Sequence, residues 1–202
     1  IPGNRIVIHG CHQQLEESIR LQMRAPSFPV DYAQAGARIE FDLMTPDKPH
    51  YIAGINVTPK KQLHAGDSYG YRFESLERTV VYSTDSEHRL DDPAEHDEFV
   101  AFFAKADLVI FDAMYSLAES VSIREDWGHS SNVVGVELCQ QAAAKRLALF
   151  HHEPVNDDAA IDRLCDPLIV DGVPTRQLLG WHPPVSMAEA LAEMAPVSEA
   201  AA

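Results

Sequence analysis

Short apolar runs that stop on an acidic or imidazole side chain constrain this chain more than any other feature. VVYST (80–84) runs into Asp85, Ser86, Glu87 and His88, DLVIF (107–111) into Asp112, and LALF (147–150) into His151 and His152. Apolar runs of this length, bounded by polar residues, read as strands buried in a sheet. A strand end is rigid, so the residue after it is held in one place. When several such ends meet along one edge of a sheet, their side chains surround a shared cleft. His64, in KKQLHAGDSYGYRFE between two strand patterns, and His129, in WGHSS before a helix pattern, are placed in the same way.

The remaining pattern gives those strands a setting. RIVIHG (5–10) reads as a buried strand and QQLEESIRLQM (13–23) as a helix, with Leu15, Ile19 and Met23 on one face. RAPSFPVD is a proline-broken loop, and ARIEFDL (37–43) alternates as a half-buried strand does. YIAGINVTP (51–59), SYGYRFESL (68–76) and RTVVYST (78–84) continue the β pattern, and the last two are close enough to predict a hairpin. AEHDEFVAFFAKA (94–106) and SNVVGVELCQQAAAKR (131–146) read as helices, the second with Ser130 or Ser131 as N-cap. NDDAAIDRLCD (156–166) begins like a helix, and the end of the chain predicts a short helix and, from about residue 195, a flexible tail. Strands first, then strands alternating with helices, predict an α+β fold in which helices cover the outer side of a sheet. No repeat or long linker divides residues 1–202, which read as a single domain.

Composition narrows the function. The net charge of −15 disfavours a broad grip on long nucleic acid, where phosphate contacts dominate affinity, but leaves small phosphorylated substrates open if a metal supplies local positive charge. Three scattered cysteines, Cys11, Cys139 and Cys165, argue against a disulfide framework and for a reducing, cytoplasmic setting. No apolar run reaches membrane-spanning length, and IPGNRIVIHG has neither the basic region nor the cleavage site of a signal peptide.

The chemistry that imidazoles and carboxylates share is a hydrolytic metal site for zinc, manganese or iron. A carboxylate can bridge two cations about 3.5–4 Å apart, and such a pair activates water and polarises a phosphoryl oxygen. Taken singly, each residue also has a plainer reading. Asp85 and Asp112 can be turn or cap residues, His129 a helix-start residue, and His151–His152 a solvated pair. His9, His12, His50, His88, His96 and His182 lack the strand-end context and read mostly as surface.

Taken in order, LHAGDSYGYRFE, VVYSTDSEH, ADLVIFDAMYS, DWGHSS and AKRLALFHHEP resemble the metallo-β-lactamase fold. They resemble most its phosphodiesterase branch, which holds ribonuclease Z and cyclic-phosphodiester hydrolases. The resemblance covers roughly residues 1–165 and implies a four-layer αββα sandwich. It implies that His64 and His151 are metal ligands, that Asp85 bridges two metals, that His152 is not a ligand, and that His129 faces the scissile phosphate with Asp112 orienting it. Two divalent ions follow, zinc first and manganese or iron next, together with a small cyclic nucleotide or phosphodiester as substrate and a homodimeric assembly. The His-x-His-x-Asp-His signature of the family occurs nowhere in this sequence. The expectation is therefore an N-terminally incomplete domain with weak metal binding and little activity of its own. The alternatives are a degenerate metal-free scaffold or sensory module, and a thioester or lactone hydrolase. No basic Gly/Pro-rich arm for clamping tRNA lies between Asp85 and Asp112.

Overall fold

A computed structural model describes residues 3–89, 92–115, 127–154 and 159. The chain divides into two units, Ile1–Glu153 and Pro154–Ala202, and the described residues lie almost wholly in the first. The helix expected at 156–166 and the C-terminal helix and tail fall outside the described residues.

Among the described residues, the first unit holds eight strands, three α-helices and a short 3-10 helix at Tyr32–Gln34. Strands β1 (Arg5–Gly10) and β2 (Arg38–Leu43) pair in parallel, joined by a crossover that contains α1 (Leu15–Gln22). Strands β3 (His50–Ile52), β4 (Ile55–Gln62), β5 (Ser68–Glu74), β6 (Thr79–Ser83), β7 (Leu108–Asp112) and β8 (Leu147–Phe150) form one sheet in that order. Neighbours from β3 to β6 are antiparallel, and β6, β7 and β8 are parallel. The parallel strands require crossovers, and those crossovers contain α2 (Pro93–Phe103) and α3 (Asn132–Gln141).

The two faces of the larger sheet carry different cores. Val81, Val109 and Phe111 point to one face and pack with Phe99, Phe102 and Phe103 of α2 and Val134 and Leu138 of α3. Arg72, beside Val81 in the ladder, donates from Nη1 to the carbonyls of Phe102 and Ala104 and so satisfies the C-terminal end of α2. Val57 and Phe73 pair on the opposite face, where Tyr71, Cys11 and Met44 join them. Cys11 and Met44 directly follow β1 and β2, so the smaller sheet meets the larger one on the side away from α2 and α3. The architecture is the expected α+β arrangement of helices and strands, with β1 and β2 as the described part of the second sheet.

Helix ends follow local chemistry. Asp92 caps α2 by accepting from the amides of Ala94 and Glu95, with Pro93 in the first turn. Ser131, one of the two expected caps, accepts from Val134 at the start of α3. Two expectations change. The run 51–59 is not one strand, because Ala53 (φ 48°) and Gly54 (φ 94°) turn the chain into the β3–β4 hairpin. The second helix stops at Gln141 instead of reaching 146, because Ala143 takes a left-handed conformation (φ 50°) and Lys145 donates its amide to Ala106 to start β8. Cys11 and Cys139 are buried free thiols. Among the described residues no helix is long and apolar enough to cross a membrane.

Candidate metal centre

Strands β4, β6, β7 and β8 all run in the same direction, so their C-terminal ends share one edge of the sheet. His64, Asp85, Asp112 and His151 sit at those four ends, and the loop carrying His129 folds over the same edge. All five candidate residues are therefore brought together.

Asp112 is the fixed point. It has no solvent exposure, and its two oxygens face five N–H donors. Oδ2 accepts from Asp85 N (2.8 Å), Ser86 N (3.4 Å) and His129 Nδ1 (2.8 Å), while Oδ1 accepts from Met114 N (3.1 Å) and Ser130 N (3.4 Å). One carboxylate thus holds the backbone at Asp85, the backbone beyond β7 and the loop at His129. Asp112 thus caps the chain beyond β7 and is at the same time hydrogen-bonded to His129.

Asp85 and His151 follow their strands in left-handed conformations, with φ of 55° and 59°. Such angles are uncommon without glycine and cost roughly 1–2 kcal/mol each. Their effect here is to turn both side chains back over the sheet edge. Asp85 Oδ1 lies 3.5 Å from His151 Nε2 and 3.8 Å from His64 Nε2. Donor atoms around a tetrahedral zinc at about 2 Å stand roughly 3.3 Å apart, so these separations suit atoms that share a cation. His64 Nδ1 donates to the Ala65 carbonyl at 2.8 Å, which leaves the Nε2 lone pair facing Asp85. His151 Nδ1 is buried, has no hydrogen-bond partner and lies 3.6 Å from Asp112 Oδ2. Donor atoms of His64, Asp85 and His129 lie within 4.8 Å of one another, as do those of Asp112, His129 and His151. An acceptor carboxylate flanked by imidazoles, one with an orphaned nitrogen, fits a borderline divalent cation.

His129 occupies the middle. Its ring stacks on His151 at 4.9 Å and meets His64 edge-on at 5.2 Å. Burial is the largest single influence on its pKa and lowers it. The hydrogen bond and charge of Asp112, aided by the charges of Asp85 and Glu87, outweigh that and hold it above the usual value.

The supporting residues were not read from the sequence. Gln62, at the end of β4, accepts from the Ser83 hydroxyl (2.6 Å) and donates to the Thr84 carbonyl (2.7 Å), joining the strand ends that precede His64 and Asp85. Gly128, at φ 85°, passes so close to His64 that a Cβ there would lie 2.6 Å from its ring. His88, expected at the surface, is instead packed edge-on to Phe99 at 4.3 Å and stacked on Phe111 at 5.2 Å. Burial lowers its pKa to about 3, with the charge of His96 adding to the effect. The sequence signal available was the glycine before His129.

Residues 3–152 match the family model described as the beta-lactamase superfamily domain. None of the curated proteins matches the sequence. Among solved structures, the chain resembles the metallo-beta-lactamase fold protein YhfI from Bacillus subtilis at 19% identity and a TM-score of 0.59, over 80% of this chain and 58% of that one. It resembles unliganded yeast PDE1 at 13% identity and a TM-score of 0.57, over 79% of this chain and 54% of that one. It resembles the short form of human tRNase Z, ELAC1, at 19% identity and a TM-score of 0.50, over 75% of this chain and 62% of that one. At these identities the likeness is one of fold, and the fold is the metallo-β-lactamase fold the sequence motifs resemble. The chain spans less than two thirds of each of these structures.

Proposed function

This chain belongs to the beta-lactamase superfamily domain family, and from that premise we propose that its site serves metal-dependent hydrolysis of phosphodiesters, in the branch of the fold that includes ribonuclease Z. The observation that carries this reading is the His129–Asp112 pair, bonded at 2.8 Å beside Asp85, His64 and His151. Asp85, His64 and His151 would hold divalent cations, two in number, with zinc first and manganese or iron suited to the same donors. A cation bound there would polarise a phosphoryl oxygen and make a water more acidic.

The chain's own residues supply the proton chemistry. Asp112 accepts from Nδ1 of His129 and leaves Nε2 as the ring atom that can carry a proton to a leaving oxygen. The raised pKa of His129 keeps that proton available nearer neutrality. His64, whose Nδ1 is held by a backbone carbonyl, presents a lone pair instead. The two imidazoles are thus assigned different work by their partners. A leaving alkoxide gains from an acid of this kind more than a leaving thiolate does, which favours the phosphodiester reading over thioester cleavage. The net charge of −15 supports a small cyclic nucleotide or phosphodiester over long nucleic acid.

The test is the divalent-metal content of the purified protein and its hydrolysis of bis-p-nitrophenyl phosphate, with Asp85→Ala alongside. Weakly retained metal and slow hydrolysis, both lost in Asp85→Ala, are the expected result. A protein that holds no divalent metal, or whose hydrolysis survives Asp85→Ala, overturns the reading. The first of those results selects the metal-free scaffold.

A further inference from the structure

Resting on that reading of His64 and His129, we infer that Glu87 is a positioning residue that fixes these two imidazoles relative to each other. Glu87 is 7% exposed and two residues beyond Asp85. Its backbone amide donates to the Leu63 carbonyl at 3.0 Å, in an isolated bridge between the two segments. Its side-chain Oε2 accepts from the Gly128 amide at 2.9 Å. Leu63 directly precedes His64, and Gly128 directly precedes His129. One residue therefore grips both histidine loops, with its main chain on one and its carboxylate on the other.

The grip has little slack. Gly128 already lies where a Cβ would come within 3.1 Å of the His64 Cα, so the two loops are in backbone contact when the bond is made. The rings then stand 5.2 Å apart, edge to face. The Ser130 hydroxyl, donating to the Ser86 carbonyl at 2.8 Å, anchors the far side of the His129 loop but does not reach the His64 loop. Without the Glu87 carboxylate, that set of bonds ties the His129 loop to the Leu63 segment by way of Ser130 and Ser86 and leaves Gly128, the point of closest approach to His64, unheld by it. The amide of Gly128 would also lose a buried acceptor, which drives the loop towards solvent.

Three variants separate positioning from bulk or charge. Glu87→Gln keeps length and an acceptor oxygen, Glu87→Asp keeps charge but loses reach, and Glu87→Ala loses both. The first readout is the nuclear Overhauser contact between the ring protons of His64 and His129 in the metal-free protein. The second is Co2+ binding followed by visible absorption. Glu87→Gln is expected to keep the ring contact and to bind Co2+ within about threefold of wild type, whereas Glu87→Asp and Glu87→Ala lose the contact and bind roughly 10–100-fold more weakly. A ring contact and Co2+ affinity unchanged in Glu87→Asp or Glu87→Ala overturn the inference and leave Glu87 a loop brace only. A ring contact that follows the expected order in a protein that binds no Co2+ upholds the positioning role and overturns the metal reading instead.

Discussion

Replacing Asp112 by Asn keeps the shape of the side chain and removes one acceptor, and no orientation of the amide suits the site. If the amide nitrogen takes the place of Oδ2, it faces Asp85 N, Ser86 N and His129 Nδ1. If it takes the place of Oδ1, it faces Met114 N and Ser130 N. The second orientation is the less damaging and still leaves two amides without an acceptor. A hydrogen bond to a charged group contributes roughly 1.5–3 kcal/mol, and the Ser130 contact is long, so the loss comes to about 3 kcal/mol. Relief of repulsion with Asp85 offsets part of it. Urea unfolding followed by far-UV circular dichroism measures the difference. A loss under about 1 kcal/mol would refute the idea that Asp112 is an obligate five-fold acceptor.

The same substitution has a second consequence at His129. Burial alone would lower that pKa, and Asp112 is the main reason it is raised. In Asp112→Asn burial prevails, and the His129 pKa falls below its ordinary value of about 6.5. In the wild type, a raised folded pKa stabilises the protein below pH 6.5, and that contribution disappears as pH rises through the folded value. The variant reverses the sign: His129 then costs stability as pH falls below 6.5. A proton NMR titration of the ring in metal-free protein reads the shift directly. An unchanged His129 pKa in a folded Asp112→Asn protein would show that the 2.8 Å bond does not govern the ring.

Gly128→Ala would place a β-carbon at φ 85° and 2.6 Å from the His64 ring, so stability should fall by about 2 kcal/mol and Co2+ affinity at least tenfold, checked by urea unfolding and metal titration. Asp85→Asn keeps a side chain that tolerates the left-handed region, so its stability should stay within about 1 kcal/mol of wild type while divalent-metal binding is lost, read by the same two measurements. His88 is held neutral in the fold, so the stability it permits is complete above pH 6.5 and declines as pH falls towards about 3. From pH 6.5 to pH 5 the decline is 1.5 units at 1.36 kcal/mol each, about 2 kcal/mol, and His88→Phe should remove that part of the pH dependence in unfolding curves.

The parts legible in sequence were those whose physics is local. The strands at 5–10 and 147–150 end where their runs end, and those at 68–74 and 79–83 stop one or two residues short of theirs. Asp85, Asp112 and His151 could be singled out because a strand's last residue also fixes the next one. That same rule failed for His88, three residues farther on. The polarity of DSEH suggests solvent, but α2 brings Phe99 down over the strand end, and only the fold supplies that partner. The bond between Glu87 and Gly128 was invisible for a related reason. They lie 41 residues apart, in loops with no periodicity, and their bond exists because the loop leading into α3 folds over the edge where β6 ends. The β3–β4 turn was missed within an apolar stretch, where Gly54 was the one available sign. A ligand can thus be read from its own strand, whereas the residue that holds two ligands in register belongs to neither strand. At this site the donors follow local sequence, but their spacing depends on long-range loop contacts, so substitutions at Glu87 or Gly128 should change metal affinity even though neither residue is a candidate ligand.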